Sequence, residues 1–402
     1  MKYKLSQLCD IDIEVIDGDR GKHYPHQDEL SNIGFCLFLS AKNVTQNGFL
    51  FSEKQFITKE KDQLLNNGKL NRGDIIITTR GTVGNVALYT DDIPYDNIRI
   101  NSGMLIIRCG DGIDNFYLYQ VLFSRWFYNQ ILSIQSGSAQ PQLPKSHFLK
   151  MNIPLPDIQT QKKIASILLS ISKKIALNNA INNNLLEQVL VLYRNKFIDT
   201  INADRKTCRA DEYFDISIGK TPPRKEPQWF STNPQDVTWV SISDMGTCGL
   251  YINSSSEQLT KEAVDRHNVK VVPDNTVLLS FKLTVGRIAI TNGEMTTNEA
   301  IAHFKTDRKE INEYLYCYLK CFNYQTMGST SSIATAVNSK IIKGMPFVVP
   351  TNDELIEFHS VAAPMFAKIK ANQIENDNLT ALRDTLLSKL MSGELDVSAL
   401  DL

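Results

Sequence analysis

The amino-acid sequence predicts an α+β chain with a pseudo-two-fold repeat: two mainly β domains separated by two long antiparallel coiled-coil helices. Three observations predict it. The sequence overlays on itself at an offset of about half its length, the apolar runs in each half are short and bounded by polar residues, and each half closes on a long segment with heptad spacing.

The repeat is visible by eye. GDIIITTRGTVGNVAL at 73–88 lies over NTVLLSFKLTVGRIAI at 275–290 without a gap, an offset of 202, and the same offset places Phe38-Leu39-Ser40 on Val240-Ser241-Ile242. Farther on, Asn101 matches Asn298 and Tyr117-Leu118-Tyr119 matches Tyr314-Leu315-Tyr316 at 197, then Met151 and Pro156 match Met345 and Pro350 at 194. One segment matches by chance easily; an ordered series does not.

Asp74–Thr78 and Val277–Ser280 are apolar runs of buried-strand type. Val86–Tyr89 and Ile288–Thr291 are their hairpin partners, with Gly84 and Gly286 at the bends, where a positive φ suits glycine. One short helix follows in each half, over 116–132 and 313–325.

After Pro156 the character changes. Residues 157–200 contain no Gly or Pro, and Ile164, Ile171, Asn178, Leu185 and Leu192 recur every seven residues beside Leu168, Ile175, Asn182 and Val189. The second half repeats the seam with Phe358, Met365, Asn372, Leu379 and Leu386, flanked by Ala362, Ile369, Asn376 and Leu390, with Pro364 expected near a helix start or kink. The two Asn in each seam have two readings: amides that face each other and set the register, or a solvated edge. The expected divisions are 1–156, 157–200, 201–350, 351–397 and a tail at 398–402.

Composition sets limits on partners. The 402 residues carry 43 Lys and Arg against 44 Asp and Glu, a formal charge of −1, so nucleic-acid binding must rest on local patches. Seven scattered cysteines argue against a disulfide framework and for a cytoplasmic chain. No signal peptide is expected, nor a continuous apolar run of the roughly 18 residues a membrane span requires.

Catalytic signatures are missing. There is neither G-x-x-x-x-G-K-[ST] nor G-x-G-x-x-G, and Asn233-Pro234-Gln235-Asp236 lacks the second Pro and the aromatic of an adenine-methylating loop. No metal site is expected: Cys317 and Cys321 lack companions and read as core cysteines, and the six His form no paired motif.

IGKTPPRKEPQWFSTNPQDVTWVSISDM at 218–245 and LTKEAVDRHNVKVVPDNTVLLSFKLTVGRIAI at 259–290 resemble the target-recognition domain of type I restriction-modification specificity (S) subunits. SGSAQPQLPKSHFLKMNIPLPDIQTQKKIASIL at 136–168 resembles that family's junction between recognition domain and spacer helix, and 338–361 keeps its rhythm only loosely. The resemblance implies a non-catalytic DNA-binding subunit of a restriction system, with one domain reading each half of a split site in double-stranded DNA. It implies two methyltransferase subunits on the spacer helices and restriction/translocase subunits beyond them. S-adenosylmethionine, ATP and Mg would belong to those partners, and this chain would hold no cofactor. Two other readings stay open: the specificity subunit of a related type II system, or a coiled-coil scaffold that binds no DNA.

Base reading needs Arg, Lys, Asn, Gln, Ser or Thr at loop tips, and phosphate contact needs Lys, Arg or backbone N–H groups. The candidates are Arg80 and Thr82 at the first hairpin tip and Lys282, Thr284 and Arg287 at the second. Phosphate-clamping candidates are Arg20 and Lys22, then Lys220, Arg224 and Lys225. Lys42-Asn43 and Ser243-Asp244 follow equivalent strands and either reach base edges or cap turns; Gln140 and Gln142 either read adenine or brace the junction. Lys162, Lys163, Lys173 and Lys174 read either as a solvated helix face or as a contact with the methyltransferase partner or the DNA spacer.

Overall fold

The computed structural model describes residues 2–9, 12–45, 48–134, 142–327, 337–392 and 394–397. The chain forms two compact units, one of Met1–Lys174 with Leu379–Leu402 and one of Ile175–Asn378. Each is mixed helix and sheet and includes a stretch of both long helices.

In the first unit the apolar runs pair into a four-stranded antiparallel sheet ordered Ile13–Asp17, Met104–Cys109, Ile75–Thr78 and Val86–Leu88. Ile106 lies opposite both Ile16 and Ile76. Both faces of the central strands are buried, which is why they read as continuous rather than alternating apolar runs. A second sheet holds Phe56–Ile57, Cys36–Leu39 and Ile98–Ile100.

The second unit repeats the plan with one strand more. Its main sheet runs Asp215–Ile218, Ile301–Lys305, Val277–Ser280, Ile288–Thr291 and Tyr251–Ile252, the last pairing parallel. Each unit is closed by a ribbon between its first and last strands, Lys2–Lys4 on Asn152–Pro154 and Lys206–Arg209 on Pro346–Val349. Tyr117 Oη donates to the Pro154 carbonyl at 2.9 Å, and its repeat mate Tyr314 donates to the Val348 carbonyl at 2.7 Å.

Two helical expectations are corrected. The single helix expected over 116–132 is two, Asn115–Phe123 and Arg125–Ile134. Ser124 takes an extended backbone between them, and its hydroxyl donates to the Val121 carbonyl and accepts from the Phe127 N–H, so a local side chain ends one helix and starts the next. The counterpart, Asn312–Cys321, stops short of 325 because Phe322 turns extended; Tyr324–Met327 is a separate short turn.

The long helices span Ile158–Tyr193, continued by a wider turn over Arg194–Ile198, and Asn352–Ser392. Pro364 lies inside the second, not at its start. An interior proline forfeits one backbone hydrogen bond and its ring crowds the carbonyl four residues earlier, and Pro364 lies on an exposed part of the helix surface.

In the second unit Val189, Leu190 and Tyr193 share a core with Leu355, Phe358, Ala362, Phe366 and Ile369. In the first, Ile164, Ala165 and Leu168 share one with Leu387 and Leu390. Leu192, expected in the seam, is 39% exposed, while Ile171, Leu185, Met365, Leu379 and Leu386 are half-buried. An α-helix has 3.6 residues per turn, so a strict seven-residue row drifts by roughly 20° per heptad. After several heptads the buried face has passed from Leu192 to Val189, Leu190 and Tyr193.

The four Asn face each other. Asn178 Nδ2 donates to Asn376 Oδ1 at 2.9 Å and to Glu375 Oε2 at 2.8 Å; Asn372 Nδ2 donates to Asn182 Oδ1 at 2.8 Å. Exchanging the helices at the 194-residue offset turns one Asn–Asn contact into the other, so antiparallel pairing and repeat symmetry coincide. A one-turn slip would strand the buried amides of Asn178, Asn182 and Asn372, at about 1–3 kcal/mol each.

Among the described residues one helix, within Ile158–Ile198, is long and apolar enough by length and composition to cross a membrane. It qualifies although no unbroken apolar run exists, because Ser and Asn punctuate its Ile and Leu. Asn178 and Asn182 spend those polar groups on the facing helix.

Candidate nucleic-acid interface

The two hairpin tips are built by one device. In the first unit Gly84 N–H donates to the Thr78 carbonyl at 2.9 Å, Asn85 N–H donates to Thr78 Oγ1 at 3.0 Å, and that hydroxyl donates to the Thr82 carbonyl. In the second, Gly286 N–H reaches the Ser280 carbonyl at 3.0 Å, Arg287 N–H reaches Ser280 Oγ at 3.1 Å, and that hydroxyl donates to the Thr284 carbonyl at 2.6 Å. A strand-end hydroxyl thus pins each loop, and Gly84 and Gly286 take φ of 91° and 90° at the return.

Each frame also carries a left-handed residue at the tip. The first unit has Gly81 there, at φ 73°; the second has Leu283, at φ 61° and 99% exposed. The other non-glycine residues with positive φ among those described are Asn268 and Asn275, a type that tolerates this region. For leucine it costs roughly 1–2 kcal/mol.

Arg20, Arg80 and Gln142, remote in sequence, meet on one polar cleft of about 240 Å³ with Asp17, Thr79 and Lys145. Arg80 and Gln142 pair as an antiparallel bridge, and among the described residues the Arg80 guanidinium has no partner. Arg20 Nη2 reaches the Ser102 carbonyl at 3.3 Å, and Thr82 Oγ1 reaches the Ala41 carbonyl at 3.4 Å. Lys22 is exposed. Gln140 lies outside the described residues.

Other candidates have structural duties. Asn43, 4% exposed, accepts from Ser40 N–H at 2.9 Å and donates to the Leu50 and Glu53 carbonyls, so it caps the turn and has no group left for a base edge. Asp244 caps its helix through Ser241 in the same way. Lys42, beside Asn43, is exposed and pairs with Glu53 at 2.9 Å.

In the second unit Arg224 is held flat, stacked 4.1 Å from the Phe230 ring centroid and 4.6 Å from that of Trp239, with a bidentate bond to Glu257. Lys220 Nζ donates to the His267 carbonyl at 2.6 Å; Lys225 is exposed. Burial alone would raise the Glu299 carboxyl, but the Thr221 hydroxyl and the charges of Lys282 and Arg224 hold it below its usual range. The Thr221 hydroxyl bonds to Glu299, and the next residue, Ala300, accepts from the Phe281 N–H at 2.9 Å, which ties the loop to the base of the tip. Arg287 departs from expectation: its Nη1 donates to the Ile242 carbonyl at 2.6 Å, under Gly246, and ties the hairpin to the Ile242–Thr247 helix. Lys282 and Thr284 are exposed.

A family model described as the type I restriction modification DNA specificity domain matches this chain twice, over residues 1–187 and 202–379. The chain belongs to the type I restriction-modification specificity family. The MjaIX specificity subunit of Methanocaldococcus jannaschii is 26% identical over 82% of this chain and 79% of its own length. The HindI specificity subunit of Haemophilus influenzae is 21% identical over 94% of this chain and 98% of its own. The solved S subunit of a type I system from M. genitalium aligns over 97% of this chain and 95% of its own, at 14% identity and a TM-score of 0.48.

The tip residue that sequence reasoning passed over is Leu283, exposed and left-handed. The gapless overlay contained the signal, since it sets an apolar side chain on Gly81 between Lys282 and Thr284. No group of three or more His, Cys, Asp or Glu placed to hold a metal occurs among the described residues. The family is the recognition component of its system. Burial pushes the Cys36 and Cys109 thiols up to about 12 and raises Cys317 well above its ordinary value, the inert state of core cysteines.

Proposed function

We propose that this chain reads a bipartite, asymmetric site in double-stranded DNA, one half-sequence per repeat, as the specificity subunit of a type I restriction-modification complex. Two methyltransferase subunits dock along the paired helices and restriction subunits join them. Methylation and cleavage, with S-adenosylmethionine, ATP and Mg, lie in those partners, in the cytoplasm. A scaffold role and a type II system are not favoured by the family match.

One observation carries this reading: the same pinned hairpin tip occurs in both repeats but bears different exposed side chains, Arg80 and Thr82 in one and Lys282, Leu283 and Thr284 in the other. A two-fold repeat suits two half-sites, and unlike tips suit unlike half-sequences. Because the net charge is near zero, affinity rests on the local basic groups Arg20, Lys22, Lys42, Lys220, Arg224 and Lys225, and falls with salt. The test is selection of duplexes from a random pool by this chain co-purified with its methyltransferase partner. Two fixed half-motifs with a constant gap are expected; enrichment of no motif would sink the proposal.

A further inference from the structure

We propose that Leu283 is an apolar base contact: its side chain meets the bases of the half-site read by the second repeat, and the first repeat, with Gly81, makes no such contact. This rests on the DNA-reading function proposed above.

The folded chain gives Leu283 nothing to do. It is 99% exposed, so it buries no apolar surface, and its φ of 61° is strained for leucine. It sits inside the Ser280–Gly286 frame as Gly81 sits inside the Thr78–Gly84 frame, and the Thr284 N–H closes the turn around it onto the Lys282 carbonyl at 2.6 Å. Glycine satisfies the frame without strain, so leucine at this position costs stability and brings only a side chain aimed outward. Its surroundings fit nucleic acid rather than an apolar protein groove. Lys282 and Thr284 flank it exposed, and the Arg224 loop is tied to the base of the tip, with Thr221 bonded to Glu299 and the neighbouring Ala300 carbonyl accepting from the Phe281 N–H at 2.9 Å. A basic and hydroxyl rim around one apolar point is what a base edge meets: phosphates take the cations, and an apolar side chain takes a thymine methyl or an unstacked base step.

Leu283→Gly and Leu283→Asn test this in the full chain bound to its methyltransferase partner, on duplexes carrying the selected site. Both variants should keep or raise the thermal midpoint, bind non-specific duplex as before, and lose about tenfold in affinity for the selected site, roughly the effect of one mismatched base pair. Two further arms locate the contact. Thymine-to-uracil replacement in the second repeat's half-site should weaken the natural chain and not Leu283→Gly if a methyl is touched. A 2-aminopurine probe should brighten only with the natural chain if a step is opened. Unchanged affinity for the selected site in both variants would overturn the proposal. So would a loss confined to co-purification of the partner, which would make the tip a protein contact. Failure of the natural chain to select any bipartite site is a separate result, and condemns the DNA-reading function itself.

Discussion

Ile16, Ile100 and Ile106 in the first repeat stand where the second has Ser217, Thr297 and His303. The isoleucines join an apolar cluster. In their place His303, fully buried, shares one ring nitrogen with Ser217 Oγ at 2.9 Å and the other with Thr297 Oγ1 at 2.7 Å. The same strands with the same register therefore tolerate either an oily or a hydrogen-bonded filling. The comparison teaches that this fold specifies backbone paths through hydroxyl pins, glycines and ribbons, leaving side chains at equivalent places to diverge. The tips show the same rule on the surface that these three positions show in the core.

The largest expected difference between the repeats is in acid. Burial holds His303 down to about 3, below its unfolded value near 6.5, so protonation favours unfolding. Its stabilising contribution is complete above pH 6.5 and is lost as the pH falls toward 3, at up to about 1.4 kcal/mol per pH unit. Hydrogen exchange followed from pH 7 to pH 4 should show the second unit loosening first. A Ser217→Ile/Thr297→Ile/His303→Ile triple variant, copying the first repeat, should bring the two units together; equal acid responses in the natural chain would break the comparison.

Next comes the way each sheet is tied to its helices. In the first unit the neutral Gln161 accepts from the Asp114 N–H and donates to the Gly112 and Pro156 carbonyls. The second uses ions: Arg205, 7% exposed, bonds Glu354 at 2.7 Å, and that bond chiefly holds the carboxyl down to about 2. Glu354→Ala leaves the buried guanidinium bonded to the Phe197, Thr200 and Lys196 carbonyls but without its counter-charge, and should destabilise the second unit by about 3 kcal/mol, read as a lower thermal midpoint, with the first unit unmoved. Since the folded value lies below the ordinary 4.5, this tie also weakens as pH falls from 4.5 toward 2.

A smaller and equal effect is expected where the repeats agree. Thr78→Val and Ser280→Ala each remove the hydroxyl that pins a tip, and each should cost about 1–2 kcal/mol in local hydrogen-exchange protection of its own hairpin. Smallest is the reciprocal exchange at the tip. Gly81→Leu should lose about 1 kcal/mol in thermal unfolding, the strain that Leu283 bears in its own repeat. A neutral Gly81→Leu would mean the frames are not equivalent.

These contrasts also mark what a sequence displays. The hairpins were legible because Ile75–Thr78 and Val277–Ser280 are short apolar runs ending at a hydroxyl and a glycine, a local pattern. The facing Asn were legible as a pair of alternatives, and only the opposed helix chose between them. Leu192 was misplaced by a heptad count that ignores helical drift. Arg287 looks like a tip residue in sequence, yet its partner, the Ile242 carbonyl, lies 45 residues away and is reachable only because Gly246 has no side chain. The Ser217–His303–Thr297 network, likewise assembled from three strands, leaves no local trace.

Methylation-sensitive sequencing of the source genome tests the central claim most directly, because it reads both repeats at once in the working complex. One frame carrying unlike side chains predicts a single motif of two different half-sequences with a fixed gap, methylated on both strands. A palindromic motif, or two identical half-sequences, would contradict it.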